Sequence, residues 1–258
     1  MRVSISIFYL YFNQKSTKTS LTMKETHHRW HSPVLGRDID MLVFGHWGYP
    51  LLLFPTSMGA YHENKGFKLI DSIKQFIDSG QVKVYCIDGI DKDSFYAKHL
   101  TPQARAHNHN VYDRFLNEEL VPSIKTECNV ERIGVGGCSF GGYHALNFGL
   151  KHPNQVAYLF SMSGAFDIRS FMDGHSDDNV YFNNPVDFMQ HEESWKYNHL
   201  KIALGTSEWD ICLKDNIEIS KILADRGIDH WLDIRGWEPH DWPLWRKMLP
   251  DYVSKMGL

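Results

Sequence analysis

The sequence lacks the features that mark several classes of protein. It has no basic tract: 27 lysine and arginine residues stand against 31 aspartate and glutamate residues, for a formal net charge of -4. The electrostatic footprint of a nucleic-acid-binding protein is therefore missing. The apolar stretch at residues 3–12 is far too short to span a bilayer. These absences leave a globular protein whose expected partner is a small molecule, and the choice between a monomer and a homo-oligomer stays open.

Signals for disulfide bonds and metal sites are missing as well. The four cysteines, Cys86, Cys128, Cys138 and Cys212, show no Cys-x-x-Cys spacing and are interpreted as reduced thiols. Reduced thiols favour a cytoplasmic protein, with secretion as the alternative. The 15 histidines form no His-Glu-x-x-His pattern, so we expect no metal ion.

The first 22 residues differ in composition from the rest of the chain. Arg2 and the apolar stretch after it resemble a short secretion signal, yet no small-x-small cleavage site follows. The segment is either such a signal or a poorly ordered extension that precedes a natural start at Met23. Residues 23–258 show no internal repeat and no low-complexity linker, and we expect them to form a single domain.

One serine lies at the apex of a predicted strand, turn and helix. The sequence Gly-Cys-Ser-Phe-Gly at 137–141 centres on Ser139, follows a short apolar strand and precedes an amphipathic helix. Small residues two positions before and after the serine are needed because the backbone folds back on itself there. The pattern is typical of a nucleophile elbow, which exposes a serine hydroxyl above a sheet. The alternative is a serine in an ordinary glycine-rich turn.

Apolar strands alternate with amphipathic helices through most of the chain. After an antiparallel edge hairpin at 30–34 and 39–44, strands are predicted at 50–55, 82–87, around Ile133 and Val135, and at 156–163, 200–205 and 230–235. Helices are predicted at 64–79, 111–126, 143–150, 213–226 and 243–256, and 88–109 is interpreted as a loop. This alternation predicts an α/β protein with a mostly parallel, doubly wound sheet.

The alternation stops between residues 165 and 198. Seven aromatic residues are interleaved there with Asp, Asn and Gly: Phe166, Phe171, Tyr181, Phe182, Phe188, Trp195 and Tyr197. The segment is predicted either to form a small cap over the serine, which would shape a pocket, or to be a long connection pinned to the sheet by its aromatic side chains.

The order of candidate residues along the chain indicates nucleophilic catalysis. A serine hydroxyl needs a base to accept its proton, and a carboxylate to orient that base. Asp210 and His240 follow the last two predicted strands, at the edge where doubly wound sheets gather their sites. The rival acids are Glu208 and Asp215, and the rival bases are His230 and His144. His230 begins a strand, whereas His144 lies inside the elbow helix.

The residues that would stabilise the oxyanion and bind the substrate are predicted from their neighbours. The amide of Phe140 lies at the start of the elbow helix and is the first expected oxyanion donor. The second should follow the 50–55 strand; Pro55 has no N–H, so Thr56 is preferred and Ser57 is next. The expected pocket walls, which could equally be packing residues, are Met58, Tyr61, Trp209, Trp237 and Trp242.

Four segments together resemble a known family. The sequences at 54–59, 137–142, 205–210 and 239–245 are similar to motifs of the putative-esterase family of α/β-hydrolases, which includes S-formylglutathione hydrolases, feruloyl and other carbohydrate esterases, and mycolyl transferases. The resemblance runs from about residue 24 to the end. It implies the α/β-hydrolase fold and hydrolysis of a small or carbohydrate-linked ester without a cofactor, with Ser139, Asp210 and His240 matching the triad motifs. An acyltransferase with the same triad and a non-catalytic binding protein are the alternatives. The usual His-Gly after the oxyanion strand is replaced by Phe54-Pro55.

Overall fold

An eight-stranded sheet runs through the molecule. The structure is a computed structural model that describes residues 23–257, so the predicted extension at 1–22 lies outside the described residues. The strands are β1 (Glu25–Ser32), β2 (Arg37–Phe44), β3 (Tyr49–Phe54), β4 (Val82–Ile87), β5 (Ile133–Cys138), β6 (Val156–Met162), β7 (Lys201–Trp209) and β8 (Trp231–Pro239). Their order is β1-β2-β4-β3-β5-β6-β7-β8; β2 is antiparallel to β1 and β4, and the other neighbours are parallel. The predicted α/β-hydrolase fold, with its antiparallel edge hairpin, is confirmed.

Helices cover both faces of this sheet. They are α1 (Glu63–Gly66), α2 (Leu69–Ser72), α3 (Lys74–Asp78), α4 (Pro102–Phe115), α5 (Val121–Cys128), α6 (Phe140–Lys151), α7 (Asp178–Tyr181), α8 (Pro185–Phe188), α9 (Leu213–Asp225) and α10 (Trp242–Ser254). One apolar core lies between the sheet and α4, α5, α6 and α9, and another lies between the sheet and α2, α3 and α10. Within residues 23–257, no helix is both long enough and apolar enough to cross a membrane.

The prediction of one continuous helix at 64–79 is wrong. The structure has the three short helices α1, α2 and α3 there, and Lys68 between the first two has a left-handed backbone with φ 63°. A residue in that conformation ends an α-helix. Of the four residues predicted on the apolar face of this helix, Ile70, Ile73 and Ile77 face the core, whereas Phe67 is exposed.

The loop predicted at 88–109 is partly helix. Helix α4 begins at Pro102, nine residues before the predicted start, and the side chain of Thr101 accepts a hydrogen bond from the amide of Ala104. Threonine followed by proline is a common helix start, because the hydroxyl caps a free amide and proline needs no hydrogen bond in the first turn. A π-helical turn at Leu116–Leu120 then joins α4 to α5.

The two last strands are longer than predicted. Strand β7 continues to Trp209 and β8 to Pro239, and these two residues are paired with each other. Asp210 and His240 therefore lie directly after two paired strand ends, which brings them to the same edge of the sheet. The edge strand β1 also begins earlier than predicted, at Glu25, so that His27 and His28 lie within it.

The segment at 165–198 packs partly into the core. Phe166, Phe188 and Tyr197 are buried with the helices beside β7, whereas Phe182 and Trp195 are exposed. The ring of Phe171 lies 5.4 Å from the ring of Phe140, at the start of the elbow helix. The segment thus both anchors a long connection and approaches the elbow, and a cap over the serine stays a prediction.

Asp113→Asn should lower the free energy of unfolding by about 2 kcal/mol at pH 7. Asp113 lies on α4, and its carboxylate contacts His152 Nε2 and Lys151 Nζ, each at 3.0 Å. Burial raises the pKa of this carboxyl, but these two partners outweigh burial and lower the pKa to about 2 from 3.8. Because the pKa is lower in the folded state, the stabilisation is present above about pH 4 and is lost as the pH falls towards about 2.

Urea unfolding of the wild type and of Asp113→Asn at pH 7 and pH 3 would check this result. The difference in unfolding free energy should be smaller at pH 3. An equal difference at the two pH values would mean that the ionised carboxylate is not its source.

Candidate active site

Ser139 lies in a strained turn between β5 and α6. Its backbone has φ 55° and ψ -124°, and its amide donates to the carbonyl of Met162 at 2.8 Å. The two flanking glycines are required by close backbone contacts: a Cβ at Gly137 would lie 2.3 Å from the carbonyl oxygen of Gly141, and a Cβ at Gly141 would lie 2.5 Å from that of Pro55. Strain of this kind persists where the surroundings hold it, and it is concentrated at functional sites.

A chain of hydrogen bonds joins Ser139 to His240 and Asp210. The Nε2 atom of His240 lies 2.9 Å from Ser139 Oγ, and its Nδ1 atom lies 2.7 Å from Asp210 Oδ1. A carboxylate can only accept, so the Nδ1–H of His240 donates to Asp210 and leaves Nε2 free to accept from the serine hydroxyl. The arrangement can therefore take the serine proton.

Asp210 is held as a carboxylate by three donors. Burial raises the pKa of Asp210, but the hydrogen bonds from His240, from the Ser163 hydroxyl and from the Cys212 amide outweigh burial and lower the pKa. Trp245 Nε1 in turn donates to Ser163 Oγ at 2.8 Å. Sequence reasoning missed Ser163 and Trp245. Ser163 could have been found, because it follows β6 at the same edge of the sheet.

The rival residues have other partners or face solvent. Glu208 is exposed, and Asp215 accepts from the amide of Phe166 at 3.3 Å. His230 lies 2.7 Å from the hydroxyl of Ser220, on α9. His144 is bonded to the carboxylate of Asp91 at 2.7 Å, as a buried pair.

The structure corrects the preferred second oxyanion donor. The amide of Thr56 donates to Glu63 Oε2 at 2.7 Å and its hydroxyl to Glu63 Oε1 at 2.9 Å, so this amide is already occupied. The amides of Ser57 and Phe140 have no acceptor in the part of the chain that the structure describes. Strands β3 and β5, which precede these two amides, are parallel neighbours. Ser57 is therefore the candidate that the geometry retains beside Phe140.

The predicted pocket walls fall into two groups. Met58, Trp209 and Trp237 are 57%, 61% and 66% exposed, and the rings of the two tryptophans lie 5.2 Å apart, edge to face. Trp242 is only 8% exposed and stacks on Phe67, with 4.6 Å between ring centroids.

Tyr61 stacks on the ring of His27 of β1, with 5.2 Å between centroids. Tyr61 and Trp242 thus have packing contacts of the kind that the alternative interpretation expects, and their role as pocket walls stays a prediction.

The site does not offer good ligands for a metal ion. Within residues 23–257, the ligand atoms of Asp210, Cys212 and His240 lie within 4.8 Å of one another. Asp210 and His240 are bonded to each other and to Ser139. Burial, with the nearby carboxylates, raises the pKa of the Cys212 thiol to about 12, so the thiolate that a metal prefers is not formed at neutral pH.

Fold and site together define the class of protein. A mostly parallel sheet that carries a serine elbow, an acid after β7 and a histidine after β8 is an α/β-hydrolase. The family model described as "Putative esterase" matches residues 32–256, and the chain belongs to this esterase family.

Relatives and solved structures agree with this class. The diacylglycerol acyltransferase/mycolyltransferase Ag85A of Mycobacterium leprae (strain TN) is 28% identical over 142 residues, which make up 53% of this chain and 42% of the relative. The matched part thus spans less than half of that relative's length.

Two solved structures share the fold at 16% identity. A ferulic acid esterase has a TM-score of 0.72, with 90% of this chain and 97% of that chain covered. The S-formylglutathione hydrolase of Staphylococcus aureus has a TM-score of 0.69, with 91% and 96% covered.

Proposed function

We propose that this protein is a carboxylic ester hydrolase that acts through an acyl-enzyme formed on Ser139. The observation that carries the proposal is the hydrogen-bonded chain from Ser139 through His240 to Asp210, at 2.9 Å and 2.7 Å. A free serine hydroxyl is a weak nucleophile at neutral pH, and a histidine base held by a carboxylate removes that limitation.

In the first half of the reaction, His240 accepts the proton of Ser139 as Oγ attacks the ester carbonyl. The carbonyl oxygen becomes an oxyanion, to which the amides of Phe140 and Ser57 donate hydrogen bonds. Asp210 stabilises the protonated imidazole. His240 then returns the proton to the alcohol as the ester C–O bond breaks, and the acyl group stays on Ser139.

In the second half, water takes the place of the alcohol. His240 accepts a proton from the water, the hydroxide attacks the acyl carbonyl, and the same two amides hold the second oxyanion. Collapse of this intermediate breaks the bond to Ser139 Oγ, which regains its proton from His240. The products are a carboxylic acid, an alcohol and the free enzyme.

The exposed aromatic surface beside the site supports a small or carbohydrate-linked ester. Trp209 directly precedes Asp210, and Trp237 lies three residues before His240, so both tryptophans are close in sequence to residues of the site. Exposed tryptophan rings bind flat apolar faces, including those of sugars and aromatic acids. Residues 165–198, whose Phe171 approaches Phe140, are proposed to bound the pocket as a cap-like insertion.

Acyl transfer is the second candidate. Part of the chain is similar to a mycobacterial protein that is named as an acyltransferase, and the same three residues would serve both reactions. A transferase differs in that an alcohol acceptor, rather than water, attacks the acyl-enzyme.

We also propose that the protein works in the cytoplasm, which is supported by its four free cysteines.

The proposal is tested with a series of p-nitrophenyl esters from acetate to octanoate, with and without added acceptor alcohols. In parallel, a fluorophosphonate probe and peptide mass analysis identify the labelled residue. We expect labelling at Ser139 and release of free acid, with a chain-length preference that measures the pocket.

The other outcomes separate the candidates. Labelling at Ser139 with product formed only when an alcohol is added would assign acyl transfer. If Ser139 is not labelled and no ester is turned over, both proposals are contradicted, and a binding protein on this fold is favoured.

A further inference from the structure

Carboxylates hold the loop that carries the second oxyanion donor. We call residues 56–59, which follow β3, the oxyanion loop; it is a turn closed by a hydrogen bond from the amide of Gly59 to the carbonyl of Thr56 at 2.9 Å. The amide of Thr56 donates to Glu63, and the amide of Met58 donates to Asp91 Oδ2 at 3.0 Å. Ser57 lies between these two anchored amides.

Asp91 also contacts the helix that carries the other donor. Its Oδ1 atom lies 2.7 Å from Nε2 of His144, which is one turn after Phe140 on α6. Asp91 is 1% exposed and His144 is 3% exposed. One buried carboxylate therefore bonds to the oxyanion loop with one oxygen and to the elbow helix with the other.

Each of the two proposed oxyanion donors lies next to a residue with a strained backbone. Met58 has φ 56° directly after Ser57, and Ser139 has φ 55° directly before Phe140. Non-glycine residues in the left-handed region are held there by their surroundings at a cost of order 1–3 kcal/mol each. The bond from the Met58 amide to Asp91 is the contact that can hold the first of these strained residues in place.

We propose that Asp91 and His144 are a positioning pair, which fixes the Ser57 amide relative to the Phe140 amide so that both point at the oxyanion. The inference rests on the proposed function. It goes beyond that function because neither residue contacts the reacting atoms and neither belongs to the Ser139–His240–Asp210 chain. Oxyanion donors accelerate the reaction only when they are held in position before the charge develops.

Asp91→Asn is the variant that separates the two contacts. Both Met58 N–H and His144 Nε2–H are donors, and a carboxylate accepts both with its two oxygens. An asparagine amide offers one oxygen and one NH₂ group, so it can accept from only one of the two groups, and its NH₂ group can bond to His144 only if that ring carries its proton on Nδ1. The shape of the side chain is kept, while the charge that strengthens both bonds between loop and helix is lost.

We expect kcat of Asp91→Asn for p-nitrophenyl acetate to fall about tenfold to hundredfold, with KM changed less than about twofold. The rates are divided by the concentration of active sites, which is measured by complete titration with the fluorophosphonate. A smaller fraction of folded protein therefore does not lower the measured kcat. Inhibition by a trifluoromethyl ketone, which places an oxyanion at the site when Ser139 adds to it, should weaken by the same factor as kcat/KM falls.

A second carboxylate–histidine pair supplies the matched control. Asp113 and His152 tie α4 to the other end of α6, at 3.0 Å, and neither contacts the oxyanion loop. Asp113→Asn should be less stable but keep kcat per titrated site and the affinity for the ketone. If Asp91 has only a structural role, Asp91→Asn should likewise lose stability but keep kcat per titrated site and the affinity for the ketone. That result would overturn the proposal.

His144 gives an independent test that also covers the case in which Asp91→Asn does not fold. His144→Asn is too short to reach Asp91 and should show the same loss of kcat. His144→Gln can place an amide N–H near the position of Nε2 and should restore most of it. Wild-type kcat in His144→Asn would overturn the proposal. A wild type with neither turnover nor labelling would instead contradict the proposed function itself.

Discussion

Ser139→Ala should abolish turnover while leaving the fold intact. The hydroxyl of Ser139 has one hydrogen bond in the described structure, to His240, and its backbone bonds do not depend on the side chain. Alanine and serine tolerate the left-handed backbone about equally, so the strain at φ 55° is unchanged. Without the nucleophile, we expect kcat for p-nitrophenyl acetate to fall on the order of 10⁵- to 10⁶-fold.

Three measurements check this result. The fluorophosphonate adduct should disappear in the mass spectrum, and the melting temperature should move by less than about 4 °C, since a substitution that removes no packing costs only about 0.5 kcal/mol. Ser220→Ala is the matched control, because Ser220 contacts the rival base His230. The Ser220→Ala enzyme should keep the wild-type kcat. A Ser139→Ala enzyme with wild-type rates, or a loss that follows Ser220, would show that the nucleophile is another residue.

The parts of the site that sequence predicted are those with local signatures. The elbow is visible because the requirement for Gly137 is local: a Cβ there would meet the backbone of Gly141, four residues further on. Asp210 and His240 are visible because a parallel sheet gathers the residues that follow its strands at one edge. The sequence order of strands and loops is sufficient for such an inference, even though the predicted ends of β7 and β8 were several residues short.

The parts that sequence missed depend on polar contacts that form only in the folded chain. The amide of Thr56 looks free in the sequence, and only the folded chain shows that Glu63 accepts from it. Asp91 was placed in a polar loop, and nothing in that loop indicates that its carboxylate contacts both Met58 and His144. Such polar contacts leave no periodicity or motif in a single sequence.

The errors in secondary structure have a different origin. The start of α4 was missed because the apolar spacing that was used to find helices is weak before residue 111, although Thr101 and Pro102 signalled a helix start. The break before α2 has a weaker signal, which is Gly66 at the end of α1, because glycine disfavours the interior of a helix. The left-handed backbone itself falls on Lys68, an exposed residue whose type does not announce it. The sheet was predicted more reliably because its buried strands are continuous apolar runs.

Asp210→Asn should lower kcat on the order of 10³- to 10⁴-fold with little change in KM. An asparagine oxygen at the position of Oδ1 can still accept from His240 and from the Cys212 amide, and its NH₂ group can donate to Ser163. The geometry is therefore kept, while the negative charge that stabilises the imidazolium is lost. The lowered pKa of Asp210 means that this charge is present in the wild type at neutral pH.

Asp215, the rival acid on α9, provides the control that tests the assignment of Asp210. Burial raises the pKa of Asp215, whose carboxylate accepts from a backbone amide and contacts no histidine in the described structure. Asp215→Asn should therefore keep kcat within about threefold of the wild type, because a substitution outside the reacting groups removes no interaction made in the transition state. Both variants are compared per titrated site, at pH 7 and with the same ester. If the large loss followed Asp215 instead, the charge that His240 needs would come from α9 and the assignment of Asp210 would be wrong.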